Sequence, residues 1–363
     1  MPALDAETRS IVAQTLGRFV DQCYASDIRL ARLRTPPVDA RLHWPLLTEL
    51  GVPGLLQPAE AGGMGAGARE LSDALQILAR GLVLEPAADT LIATSLLAGT
   101  QDPHGLLART AGGERIPIVV GLASPPGALR VERGADGTPH LRGYAAVVPF
   151  AADADDWLVI ARSDAGTPCV LVLNADNPGV RIERFALMDG RPAADLHFDL
   201  VLSAAAFPFL DRPDIEPAVE HTSDLWLAAC AADAVGVMEH VIGLTREYLR
   251  TRVQFGVAIG SFQALQHRLA DMQMAYLEAR ALLRSWTAAL DDAADAKALP
   301  RMRRALPRVV SRAGQQVGQE AIQMHGGMGV TDELVVSHCN ARLQVDASLL
   351  QAWANAKTAQ EVL

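Results

Sequence analysis

The sequence predicts an α+β protein in which a helical region comes first, an antiparallel β region follows, and four long helices end the chain. Apolar residues recur at helical spacing before about residue 113 and again after about residue 217. The stretch between them consists of short apolar runs separated by Gly, Pro, Asp and Asn, as in strands joined by turns. The predicted domains are therefore a helical domain (1–114), a β-barrel or β-sandwich domain (115–215) and a four-helix bundle (216–363).

Composition narrows the class of protein. The 363 residues suffice for two or three domains, and half of them are hydrophobic, so a large core is expected and intrinsic disorder is excluded. The net charge of −10 argues against nucleic-acid binding, which needs an exposed basic surface. The four cysteines show no zinc or disulfide spacing, and neither a signal peptide nor a membrane span is apparent. These features predict a cytoplasmic protein.

The N-terminal region contains two clear helical patterns. In the segment 7–24 the residues expected on one apolar face are Ile11, Val12, Leu16, Phe19 and Val20. The segment 71–82 repeats this spacing. The loop between them, 58–67, is rich in glycine, but its glycines lack the spacing and the strand–helix context of a dinucleotide-binding fingerprint.

The middle region shows the patterns of strands. Apolar runs occur at 116–120, 157–161 and 169–173, and in 194–201 apolar residues alternate with polar ones, the period of a half-buried strand. No long helix lies between these runs to connect parallel strands, so an antiparallel barrel or sandwich is predicted.

The C-terminal region is typical of a helix bundle. Helices are predicted at about 223–252, 261–290, 301–324 and 332–358, and the breaks between them are short. No P-loop, no GxSxG elbow and no metal-ligand spacing among the nine histidines is present, so no metal site is predicted.

Two segments of this region combine charged, aromatic, amide and glycine residues at the ends of predicted helices. Arg252 ends a predicted helix, where its guanidinium can meet a pyrophosphate, and Phe255 in the following turn can pack against a flat ring. Gly256 permits the chain reversal. Four further candidates lie at the start of the next helix and in the second segment: Gln263, Gln323, Gly326 and Gly327. Taken singly, each has an ordinary alternative, such as a helix cap, a core aromatic or a helix stop.

Together these segments, 248–272 and 318–333, resemble the C-terminal domain of the acyl-CoA dehydrogenase family. The stretch 44–55 and the order of the three regions are also similar, so the resemblance covers almost the whole chain. It implies FAD as cofactor, an acyl-CoA as substrate and an electron-transfer flavoprotein as electron acceptor. It also implies that the six candidate residues hold the ADP half of a FAD seated in a neighbouring subunit, which requires an oligomer.

The chain departs from the family where chemistry is expected. The usual catalytic Glu falls near Leu350 or Gln351, and an alternative position falls near Trp226, so no base is found and the catalytic residue stays unassigned. The nearest acid, Asp224, is expected to be a surface residue or one favoured by the helix dipole. The stretches 122–127 and 146–150 lack most of the donors that would face a flavin ring, and Ser124 is the one obvious remnant.

These departures leave three functions open. The closest resemblance is to the small subunits of two-component dehydrogenases of the pimeloyl-CoA type. The first function is FAD-dependent α,β-dehydrogenation of an acyl-CoA, in a homo-oligomer or in a heterotetramer with a homologous large subunit. The second is a non-catalytic partner subunit that completes the FAD site of that large subunit. The third is a flavin monooxygenase or a relative of nitroalkane oxidase with the same fold.

Overall fold

The computed structural model describes residues 4–98, 105–135, 137–202, 215–292 and 298–362. Its α-helices are α1 (Ala6–Cys23), α2 (Ser26–Leu33), α3 (Trp44–Glu49), α4 (Ala68–Arg80), α5 (Ala87–Ala98), α6 (Leu106–Ala111), α7 (Ile215–Thr251), α8 (Gln263–Asp292), α9 (Leu299–His325) and α10 (Val335–Val362). Its strands are β1 (Pro117–Val120), β2 (Leu129–Arg133), β3 (Pro139–Pro149), β4 (Asp156–Ser163), β5 (Pro168–Asn174), β6 (Val180–Ala186), β7 (Pro192–Val201), β8 (Val253–Gln254) and β9 (Val257–Ala258).

The N-terminal helices form where the apolar spacing predicts them. Asp5 caps α1, because its side chain accepts a hydrogen bond of 2.8 Å from the Thr8 N–H, one of the N-terminal donors without a helical partner. Leu16 and Phe19 of the predicted apolar face are buried, but Ile11 is 58% exposed. The start of α4 is capped from a distance: the Asp291 carboxylate, on α8, accepts from the Ala68 and Arg69 N–H groups. This cap ties the first helical region to the last.

The seven strands β1–β7 form one sheet around the middle of the chain. Strand β4 pairs along one edge with β5, and its other edge pairs with β1 at its beginning and with β2 at its end. From β2 the order continues through β3 and β7 to β6. Apolar side chains of these strands enclose their own core, which includes Trp157 and Phe198. On the opposite face, Leu158 and Val170 pack against α5, α6 and the start of α7.

The prediction of a wholly antiparallel β region is wrong in one respect. Strand β4 runs parallel to both β1 and β2, so the sheet is mixed. Parallel neighbours need a long connection, and here other strands supply it in place of a helix, since β2 and β3 lie between β1 and β4 in the sequence. The α+β class and the order of the three regions are confirmed.

Helices α7–α10 form the C-terminal bundle. They share one hydrophobic core with the N-terminal helices, so the first and third regions pack as a unit, and the domain boundaries stay a prediction. Gly236 of α7 touches α4 so closely that an added Cβ would lie 2.4 Å from the Gln76 carbonyl oxygen. Helix α7 is long and apolar enough to cross a membrane, but 67% of its most apolar window is buried, as in the core helix of a globular protein.

Candidate functional site

A two-stranded hairpin projects from the end of α7. Strands β8 and β9 pair Gln254 with Val257, which leaves Phe255 and Gly256 as a two-residue turn with φ angles of +56° and +81°. A phenylalanine in this left-handed region is strained. Its ring is also 89% exposed, and among the described residues its ring contact is with another exposed ring, Phe262, at 6.1 Å between centroids. An exposed aromatic on a strained turn is a candidate recognition element.

A second loop lies at the same end of the bundle. The rings of Tyr248 on α7 and His325 at the end of α9 stack at 4.3 Å, which joins the two helix ends. The 3₁₀ turn of residues 326–330 follows at once. A Cβ added at Gly326 or Gly327 would meet nothing within 4 Å, so the backbone of this loop is open to a ligand. His325 packs in the helix junction and is a structural residue.

All six residues predicted to bind a nucleotide therefore lie at one end of the bundle. Arg252 follows the last residue of α7, Gln263 is the first residue of α8, and Gln323 lies in the last turn of α9. Within the described ranges the side chains of these three residues are exposed and form no hydrogen bond or ion pair. The structure brings the predicted set together and leaves its polar groups free, whereas their role in binding stays a prediction.

The interior of the chain contains a cleft where α4, α5, α7, α10 and the end of β3 meet. It contains Trp226, so the alternative base position faces this cleft, and Pro149 and Phe150 of the predicted flavin-facing stretch line it as well. Its volume is only about 60 Å³, whereas ligand pockets typically have about 300–1,000 Å³. The cleft of the chain by itself is too small for an isoalloxazine ring or an acyl thioester.

The backbone donors beside the cleft are already used within the chain. The Val147 N–H donates to Asp195 Oδ1 at 2.7 Å, and the Phe150 N–H donates to the Pro192 carbonyl at 2.9 Å. The Phe150 ring is 2% exposed and so occupies the interior itself. These residues do not fit a flavin ring held by this chain, which agrees with the loss of donors read from the sequence.

The expected base positions hold no free carboxylate. Leu350 is fully buried, and Gln351 lies on the surface of α10, where it bonds Asn355. The expectation that Asp224 lies on the surface or near a helix start is wrong, because α7 begins at Ile215 and Asp224 is 4% exposed. Its two carboxylate oxygens accept hydrogen bonds of 2.8 and 2.7 Å from the Arg303 guanidinium. A carboxylate engaged in this way is a structural ion-pair partner.

A larger groove lies beside the stretch 122–127 and has a volume of about 270 Å³. Ser124, the remnant noted in the sequence, lines it together with Arg162 and Lys357. Among the described residues Lys357 has no carboxylate within 4 Å, and burial lowers the pKa of its ammonium group. The groove is thus lined by both cations and carboxylates, since Glu216 and Glu220 also face it.

Sequence analysis did not predict the charged side chains that meet beside the small cleft. Five charged side chains that are far apart in the chain meet there: Asp189, Arg191, Asp233, Arg342 and Asp346. The available signal was charge on a buried helix face, since Arg342 and Asp346 are four residues apart on the otherwise apolar inner side of α10. Within the described part of the chain no group of three or more His, Cys, Asp or Glu side chains is placed to hold a metal ion.

Comparisons with known proteins bear on this site. Residues 228–353 match the family profile "Acyl-CoA dehydrogenase, C-terminal domain". The chain is 28% identical over 351 residues to acyl-CoA dehydrogenase IpdE2 of Mycobacterium tuberculosis, covering 95% of this chain and 94% of the relative. It is 29% identical over 368 residues to acyl-CoA dehydrogenase FadE27 of the same organism, with 94% of each covered.

Solved structures share the fold over nearly the full length. A variant of the Tcur3481-Tcur3483 steroid ACAD superposes with a TM-score of 0.85 at 26% identity, covering 98% of both chains. The similarity includes the region with the projecting hairpin as well as the region with the closed cleft.

Proposed function

The chain belongs to the acyl-CoA dehydrogenase family of oxidoreductases, and from this premise we propose that it is one subunit of a hetero-oligomeric, FAD-dependent acyl-CoA dehydrogenase. A homologous partner subunit holds the flavin ring and supplies the catalytic base, and this chain clamps the ADP half of that flavin. An electron-transfer flavoprotein reoxidises the assembly. The observation that carries the proposal is a contrast. The six candidate residues at the end of the bundle, here called the binding arm, are exposed, whereas the interior cleft is too small for a ligand.

The arm has the chemistry that an ADP group needs. The Arg252 guanidinium presents paired donors to a pyrophosphate, and the Phe255 ring offers a flat apolar face. Gly326 and Gly327 let phosphate or ribose oxygens reach backbone N–H groups, and Gln263 and Gln323 add amides at the rim. All six are exposed, which supports a cofactor seated in another subunit.

The proposed roles of this chain and its partner subunit differ because of the residues at the expected base positions. Bound FAD supplies the hydride acceptor for α,β-oxidation of the thioester. Among the described residues at the expected base positions this chain offers no carboxylate, since Leu350 and Gln351 stand at one position and Trp226 at the other. The nearby Asp224 is held by Arg303. Its contribution is to bind and orient the cofactor and to exclude water from its adenine end. The name of the Tcur3481-Tcur3483 structure, which joins two components, supports an assembly of this kind.

A visible absorption spectrum of the purified protein tests this function. The chain expressed alone is expected to be folded and to lack stoichiometric FAD. Coexpressed with its homologous large subunit, it is expected to copurify as a yellow complex whose flavin bleaches anaerobically with acyl-CoA. About one FAD per chain in the isolated protein, bleached by acyl-CoA, would show a complete dehydrogenase and refute the partner role.

A second candidate function is binding of the acyl-CoA by this chain itself. The groove beside Ser124 favours it, because its 270 Å³ approaches ligand size and Lys357, among the described residues, lacks a carboxylate within 4 Å. Titration of the isolated chain with coenzyme A by calorimetry tests this role, with Lys357→Met as the variant that removes this cation. Unchanged heat in that variant, or no binding at all, would exclude the groove.

A further inference from the structure

A buried cluster of charged side chains joins all three regions of the chain. Its members come from α2, α5, the turn between β6 and β7, α7 and α10. Asp89 and Asp233 are half-buried, and the other five are buried: Arg29, Asp189, Arg191, Arg342 and Asp346. None of the functions proposed above uses these residues. Buried charges are costly unless they are paired, so the pairing within the cluster is informative.

Two arginines organise the cluster. Arg191 Nε lies 2.6 Å from Asp189 Oδ2, and its Nη2 lies 2.9 Å from Asp346 Oδ1. Arg342 Nε lies 2.8 Å from the same Asp189 oxygen, and its Nη1 lies 3.1 Å from Asp233 Oδ2. These pairs join the β6–β7 turn to both α7 and α10.

The cluster contains one more carboxyl group than it has cations. Three arginines face four aspartates, since Arg29 donates to the Asp189 carbonyl oxygen and Asp89 lies at the cleft. The other groups that face the cluster do not correct this excess. Glu85 is already paired with Arg32 at 3.0 Å and contacts His43 at 3.3 Å, and burial raises the pKa of the Cys230 thiol, which keeps it neutral. Among the described residues of the cluster, carboxylates therefore outnumber cations by one unless a carboxyl is protonated.

The geometry points to two carboxyls that lie against one guanidinium. Asp346 is 1% exposed, and its Oδ2 has no donor among the described residues. Arg191 Nη2 lies 2.9 Å from Asp346 Oδ1, and Arg191 Nη1 lies 4.0 Å from Asp233 Oδ2. Two neighbouring carboxylates repel each other, and a shared proton removes that repulsion. Burial and the neighbouring Asp233 raise the pKa of Asp346 well above its usual range, despite Arg191 and Arg342. Asp89 is less affected: burial raises its pKa to about 6.

We propose that Asp233 and Asp346 share one proton in the folded protein and that this proton-binding site locks the β6–β7 turn onto helices α7 and α10. The lock is a property of the chain itself and does not depend on the proposed cofactor or partner. Deprotonation places two neighbouring anions inside the protein and weakens the junction of the three regions.

The sign of the pH dependence follows from linkage. The pKa of Asp346 in the folded chain is raised above its ordinary value of 3.8. Between these two values the folded state holds a proton that the unfolded state releases, so stability is full at the acidic end and is lost as pH rises through the folded pKa. The melting temperature is therefore expected to fall as pH rises above 3.8, until the pair in the folded chain has ionised.

The test compares the full-length chain with its Asp346→Asn variant. The amide is neutral at every pH and can donate to Asp233, so the variant is expected to keep its melting temperature where the native protein loses stability. Infrared spectroscopy of the native protein at about pH 7.5 should show the carbonyl band of a protonated carboxyl, absent from the variant. Asp89→Asn is the matched control and should keep this band.

Two further results decide the matter. Asp233→Asn should also remove the band, because the proton belongs to the pair, and it serves as the second variant if Asp346→Asn fails to fold. Absence of the band from the native protein would overturn the proposal. The same conclusion would follow if either asparagine variant melted with the pH dependence of the native chain.

Discussion

At the scale of single residues, Phe255 leaves a large apolar ring in water, although burying such a side chain is worth about 1.5–3 kcal/mol. Within the described part of this chain no contact buries the Phe255 ring, since its ring contact, Phe262, is itself 39% exposed. We therefore expect the ring to serve an interaction outside the subunit, so that its removal affects binding and not folding.

We predict that Phe255→Ala leaves the free energy of unfolding of the isolated chain within about 0.5 kcal/mol of the native value. In the assembly with the large subunit, the same change should raise the dissociation constant for FAD by about threefold to tenfold, the worth of one aromatic contact. Urea titration and FAD fluorescence measure the two effects. Phe185→Ala, at a half-exposed ring on β6, is the control and should leave FAD affinity unchanged. Equal FAD affinity in both variants would contradict the clamp.

A second prediction at this scale concerns the Asp224–Arg303 ion pair. Arg303→Gln leaves the Asp224 carboxylate buried without its partner, and breaking a buried pair in this way costs about 3 kcal/mol. Arg303 lowers the pKa of Asp224, so its loss raises that pKa further and the destabilisation should grow as pH increases. Urea unfolding at two pH values measures this.

Asp224→Asn is the companion variant. It should destabilise less, because Arg303 keeps Glu220 at 2.9 Å. Loss of activity of the assembly in Asp224→Asn without loss of stability would instead identify Asp224 as a base.

At the scale of elements, helix α7 packs closely against helix α4 of the N-terminal region at a glycine, Gly236. We predict that Gly236→Ala destabilises the chain by about 1–3 kcal/mol, because its Cβ would lie 2.4 Å from a carbonyl oxygen of α4. Gly243→Ala on the same helix is the matched control: nothing lies within 4 Å, so alanine should be neutral or stabilise by up to about 1 kcal/mol. Chemical denaturation measures both. Similar effects of the two changes would mean that α4 and α7 are not in close contact.

The strands show which elements a sequence pattern reveals. Strands β4, β5 and β7 are apolar or clearly alternating, and the sequence predicts them. Strands β2 and β6 carry several charged residues on an exposed face, so the sequence pattern does not predict them. Their places in the sheet are decided by pairing with β3 and β7.

At the scale of the whole molecule, the continuous core of the two helical regions predicts joint unfolding. Helices α1 and α4 and the bundle bury their apolar faces against one another, so neither region keeps a complete core by itself. We expect a single calorimetric transition for the helical regions, coincident with loss of the helical circular dichroism signal. Separate transitions for the N-terminal helices and the bundle would contradict a shared core.

The sequence by itself determined the order of helical and β regions, the four long bundle helices and the two segments that are predicted to bind a nucleotide. These features depend on local spacing: apolar periodicity selects helix or strand, and Gly256 and Gly326 mark turns within a few residues. From the sequence no catalytic base could be assigned at either expected position, and this stays a prediction.

The tertiary structure alone decided how side chains far apart in sequence meet. Arg191 and Asp346 are 155 positions apart, and no local pattern indicates that they form a buried pair with Asp189, Asp233 and Arg342. The parallel direction of β4, the small cleft and the exposure of Phe255 depend likewise on packing between regions. The physical reason is that periodicity reports which face of an element is buried, whereas pairing depends on where the elements come to lie in space.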